Sequence, residues 1–210
     1  MLRGFAAVTA VAVAVISLTG FGPSRSRGEL AARATVIRNL SFEFVGQFQN
    51  SAVGVTPATH VHYGYLSYVR GLSVFRGEPE DESTALLTFF ASAATLRVIV
   101  DGPLRIITRV GELTIYRDPS TNGNFANPDT FRDGTPVLVA GFRQQVVNNT
   151  VTGSFTTFHQ ATITATKPFP TARGKVQLGG VGETLRIAFS GQGNMPGPPS
   201  GYFGGYAVSG

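Results

Sequence analysis

The three histidines of this 210-residue chain are the side chains whose spacing most directly suggests chemistry. His60 and His62 stand two apart. On a strand such positions project from one face, about 7 Å apart at the backbone, so both imidazoles can reach one transition-metal ion, with His159 as a third ligand. A second pattern lies at Asp118, Ser120, Asn122, Asn124 and Asp129. With Gly123 at the sixth position, these oxygen-bearing side chains follow the spacing of a calcium-binding loop. Both patterns have plain alternatives: strand histidines packed beside a tyrosine, and a hairpin loop made of ordinary turn residues. Glu43, Asp101 and Glu112 are the carboxylates left, by elimination, for glycosidase-type acid and base work, and a solvated strand or turn accounts for each of them equally. Gly-x-Ser-x-Gly and His-Glu-x-x-His do not occur.

Gly54, five residues and then His60-Val61-His62 resemble the opening of the first cupin motif, in which a metal-binding glutamate follows. Leu66 or Ser67 stands in the place of that glutamate, and no Pro-x-Gly pattern surrounds His159. The resemblance covers about 20 residues and implies a His-bound metal in a β-barrel. The Asp118 segment resembles an EF-hand loop, with Asp129 where that loop has glutamate and strand-forming sequence where it has helices.

The elements that must position these residues are strands. Leu40, Phe42 and Phe44 alternate with polar residues, and Val61, Tyr63 and Tyr65 alternate with His60, His62 and Gly64. Similar runs occupy 86–93, 96–100, 104–108, 113–116, 137–147, 150–166, 184–190 and 202–208. Asp101-Gly102-Pro103 and Val110-Gly111 supply turn signals among them. The expected fold is all-β, an antiparallel barrel or sandwich of roughly nine to eleven strands, the last of them closing a barrel or lying at an edge. In a barrel, Tyr63, Tyr65, Phe89 and Phe158 are candidates to line an apolar ligand pocket, unless side chains fill the interior.

Residues 1–34 read as a helical export leader, leaving one β-rich domain over 35–210. Arg3 precedes an apolar run of about 19 residues from Gly4 to Gly22, and Ala32-Arg33-Ala34 offers a processing signal. Cleavage gives a secreted, extracellular or periplasmic protein, and an uncleaved leader gives a membrane anchor. The chain has 17 Lys and Arg against 12 Asp and Glu, but without the leader 13 face 11. The basic residues left are scattered singly, which speaks against nucleic acid as a partner. Cysteine is absent, so disulfide and Cys-zinc chemistry are excluded.

The function expected from these features is a non-catalytic exported β-domain that engages a small apolar ligand, a surface or a protein partner. The alternative is a metal-dependent enzyme using His60, His62 and His159. No cofactor is required by the sequence; calcium and a His-bound transition metal are the two candidates. Oligomeric state is left open.

Overall fold

The computed structural model describes residues 33–52, 54, 56–195 and 198–210. The expected leader, apart from residues 33 and 34, lies outside them. Eleven strands follow in order: β1 (Thr35–Ile37), β2 (Ser41–Asn50), β3 (Thr59–Val69), β4 (Leu87–Asp101), β5 (Leu104–Arg117), β6 (Thr135–Asn149), β7 (Ser154–Thr166), β8 (Phe169–Thr171), β9 (Gly174–Leu178), β10 (Thr184–Gln192) and β11 (Gly201–Ser209). Eight of them close an antiparallel barrel in the order β10-β11-β2-β3-β4-β5-β6-β7, and β1, β9 and β8 form a separate three-stranded sheet. No α-helix occurs among the described residues. One 3-10 turn, Pro128–Phe131, is the only helical element there. No helix among them is long and apolar enough to cross a membrane.

Closure follows from two-residue alternation, which aims every second side chain at the axis. Leu138, Ala140 and Phe142 of β6, Phe155, Ala161 and Ile163 of β7, and Ile187 and Phe189 of β10 are buried in this way. Eight strands enclose a space that side chains can nearly fill. Phenylalanines do so at mid-height. Phe44 meets Phe89, Phe189 and Phe203 edge-on at centroid distances of 5.7, 5.9 and 6.1 Å. Only about 30 Å³ stays empty among these rings.

The strand β11, set off by the Gly/Pro-rich segment, pairs with both β10 and β2 and so seals the barrel. Val110-Gly111 is not a turn. β5 runs unbroken through it, because Gly111 lets the Phe142 ring and the Ser92 carbonyl approach to 2.8 and 2.1 Å of where a Cβ would sit. Residues 150–153, expected to be strand, form the tight turn before β7, with Gly153 at φ 74° and its N–H donating to the Asn149 carbonyl at 2.8 Å.

The two barrel ends differ. At one end the chain inserts long connections: 70–86, 118–134 and the excursion through β8 and β9. From that end Phe169, Val176 and Leu178 join the barrel core. The connection 118–134 lies against the outer wall, where Phe131 packs on Tyr63 at 5.7 Å and Phe125 on Tyr65 at 6.2 Å. The other end carries two tight turns, 102–103 and 150–153, and two eight-residue connections, 51–58 and 193–200, and among the described residues it opens into a cavity.

Candidate ligand site in the barrel mouth

The open end leads into a cavity of about 230 Å³. Its apolar walls are Phe48, Ile107, Val146 and Phe155; its polar lining is His60 and His62 of β3, Arg105 and Arg109 of β5, Asn148, Thr157 and the rim residues Asn50 and Asn194. Among the described residues no carboxylate lines it. The strand register explains how residues so far apart in sequence meet. Thr95 pairs with Arg109, Arg109 with Gln144, and Gln144 with His159, so one inward row crosses β4, β5, β6 and β7.

His60, His62 and His159 are all buried inside the barrel. His60 Nδ1 lies 2.6 Å from Asn50 Oδ1, and His60 Nε2 lies 2.7 Å from His62 Nε2. With the Asn50 oxygen accepting, His60 carries its proton on Nδ1 and its Nε2 accepts from the His62 Nε2–H. The His159 ring lies 6.3 Å from that of His62, is stacked on Phe142 at 4.6 Å, and has neither nitrogen hydrogen-bonded. Thus the three rings come near one another, but among the described residues no group of three His, Cys, Asp or Glu side chains is placed to hold one metal ion. Burial, aided by the Arg109 charge, pushes His159 down to about 3, and burial first and neighbouring charge second hold His60 and His62 well below the usual histidine range. All three are neutral at pH 7.

Arg109 is the less common feature. Only 9% of its surface is exposed, and the hydrogen bond it makes is a long one, from Nε to Thr95 Oγ1 at 3.4 Å. Among the described residues the one ion pair, Arg132 with Asp129 at 2.7 Å, is elsewhere on the surface. Burial lowers the Arg109 guanidinium to about 10, so it remains charged at neutral pH. Around it, the Thr157 hydroxyl, both ends of the Gln144 amide and both His159 nitrogens are buried without partners. Each orphaned group costs about 1–3 kcal/mol, and a buried unpaired charge costs more. A folded chain tolerates such a cluster when a ligand or ordered water completes it.

The expected pocket residues divide among three places. Phe89 faces the packed interior. Tyr63 and Tyr65 point outward and are buried under the 118–134 connection, and Phe158 is 54% exposed on the outer wall. The reason is parity. His60, His62 and Leu66 face inward on β3, so the odd-numbered tyrosines face out, and a bulge opposite Glu43/Phe44 resets the phase before Val69.

The loop oxygens divide as well. Asp118 Oδ1 accepts from the Ser120 N–H and hydroxyl. Asn122 donates to Asp133 Oδ2 at 2.9 Å, Asn124 Oδ1 accepts from the Ala126 N–H at 2.9 Å, and Asp129 Oδ1 accepts from Arg132 Nε at 2.9 Å. Gly123 is needed for close approach to Glu82, whose carbonyl oxygen lies 2.4 Å from where a Cβ would stand. The other carboxylates singled out, Glu43, Asp101 and Glu112, are exposed and line no part of the mouth.

Arg109, Gln144 and Thr157 were missed in the sequence. A signal for two of them exists: Arg109 falls in the inward phase of Ile107 and Leu113, and Gln144 in that of Phe142 and Val146. Polar residues in an apolar stripe are where a buried site is to be sought. No protein-family model, curated protein or solved structure matches this chain.

Proposed function

We propose that this chain is an exported, non-catalytic β-barrel that holds a small ligand in its open mouth. One observation carries the reading: a half-polar cavity of about 230 Å³ lined by a buried guanidinium, Arg109, and by the Thr157 hydroxyl, which has no hydrogen-bond partner. Pockets for drug-sized ligands occupy roughly 300–1,000 Å³, so the occupant is smaller than those. The ring-filled middle of the barrel supplies a floor, and the rigid strands hold the lining in place without a ligand. Its apolar part meets Phe48, Ile107, Val146 and Phe155. The test is equilibrium binding of a panel of small amphiphiles, followed by calorimetry and by thermal melting. Binding that is lost when Val146→Trp fills the mouth supports the reading; binding unaffected by that change overturns it.

A second reading, a metal-dependent enzyme, draws on the convergence of His60, His62 and His159. The His60 and His62 Nε2 atoms lie close enough to share an ion after a tautomer change at His62. The Arg109 charge opposes a cation there for the same reason that it depresses His159. Metal analysis of purified protein decides it. One tightly held transition metal that is lost in His60→Ala ranks the metal-dependent reading first, and metal-free protein removes it.

A further inference from the structure

The cavity has a charge as well as a shape. Two guanidiniums, Arg105 and Arg109, line it, and among the described residues no acidic one does. They sit at different depths. Arg105 is exposed at the rim, whereas Arg109 is buried four residues further along the same strand. Between them lie Ile107 and its cross-strand neighbour Val146, and Phe155, in the row of Arg105, extends this apolar belt to the rim. Arg109 thus stands at the bottom of an apolar passage, desolvated and without a counter-ion.

Resting on the reading of the mouth as a ligand site, we infer that its ligand is an organic carboxylate, bound head-first. The carboxylate takes the Arg109 guanidinium, the Thr157 hydroxyl donates to one of its oxygens, and the apolar body of the acid lies along the belt. Arg is suited to this because its planar fork offers two parallel N–H groups to two carboxylate oxygens. A monoanion matches the single charge buried at this depth. A phosphate dianion would carry one charge more than the deep site neutralises. The neutral imidazoles of His60 and His62 leave the cation count at Arg109 and Arg105, and a cationic ligand would meet like charge at both levels. The orphaned state of Thr157 Oγ1 supplies an observation independent of charge.

The experiment measures calorimetric affinity for straight-chain carboxylates from butanoate to decanoate, each beside its uncharged primary amide, with inorganic phosphate as a further arm. Expected is tighter binding of at least one acid than of its amide, by about tenfold or more, as charge-assisted bonds predict. Phosphate alone is expected to bind more weakly than that acid. Arg109→Met is expected to erase the difference between acid and amide. Thr157→Val is expected to weaken the acid several-fold while leaving the melting temperature equal or higher, since the hydroxyl has no partner to lose; it serves also if Arg109→Met does not fold. Equal binding of acids and amides overturns the carboxylate assignment and leaves the ligand site standing. Acid preference retained in Arg109→Met, or unchanged acid affinity in Thr157→Val, likewise overturns it. Tighter binding of phosphate than of every acid replaces carboxylate by phosphate. Failure of every acid, every amide and phosphate to bind overturns both the site and its ligand.

Discussion

The 118–134 connection and the barrel mouth are built from similar polar residues, yet they treat them differently. In the connection, the oxygens of Asp118, Asn124 and Asp129 all accept hydrogen bonds from within the loop, and Phe125 and Phe131 anchor it on Tyr63 and Tyr65. Only Asp118 Oδ2 is buried there without a partner. In the mouth and the row beneath it, Gln144, Thr157 and His159 are buried with nothing to bond, beside an unpaired Arg109. Satisfied polar groups stabilise the connection they belong to. Unsatisfied ones lower stability and persist where something outside the chain completes them.

One test of this contrast removes the anchor of the connection. Phe131 is fully buried, so Phe131→Ala is expected to cost about 3–5 kcal/mol in a denaturant melt while leaving ligand affinity unchanged. A loss under 1 kcal/mol would mean that the connection is not seated as described.

Acid comes next. The histidines of the mouth have folded-state values below the unfolded value near 6.5, so the unfolded chain binds more protons in acid. Stability is therefore full above pH 6.5 and falls as pH drops below it, by about 1.4 kcal/mol per unit for each such histidine. For His159 the decline continues to about pH 3. Melts between pH 8 and pH 4 measure it, and His159→Gln is expected to flatten the curve. An unchanged slope in that variant would count against a buried neutral His159.

A smaller effect of opposite sign is expected at Arg109. Replacing a buried, unpaired cation by an apolar side chain of similar length is expected to raise unliganded stability, by about 1 kcal/mol, as Arg109→Met. A structural arginine would give the reverse. The least effect belongs to the connection's exposed pair. Asp129→Ala is expected to cost about 0.5 kcal/mol or less, because exposed ion pairs contribute little. With Asp118 Oδ1, Asn124 Oδ1 and Asp129 Oδ1 already accepting hydrogen bonds within the loop, millimolar calcium is expected to leave the melting temperature where it was. A rise of several degrees would show that the loop rearranges to take the ion.

Much of the barrel was legible because alternation is local. The runs at 137–147, 184–190 and 202–208 fall within β6, β10 and β11, and the hairpin at Asp101-Gly102-Pro103 stands where its turn residues put it. β1, β8 and β9 were missed: two of them have only three residues, and the alternation of β9, with Val176 and Leu178 buried, spans only five. Val110-Gly111 misled because glycine signals a turn and a close packing contact with the same letter, and only the Phe142 ring tells which.

By itself, the sequence determined that this chain builds strands, that it has no cysteine chemistry, and that His60 and His62 share a face. These are consequences of composition and of the two-residue period. Which face turns inward was decided by tertiary structure. Both faces of β3 are buried, one by the barrel and one by the 118–134 connection, so alternation alone could not rank them. The meeting of Arg109, Gln144 and His159 was likewise decided by strand register. Pairing across β5, β6 and β7 brings side chains 50 residues apart in sequence into one row, and only barrel closure removes that row from water. Arginines scattered singly along the chain thereby become the charge of a buried site.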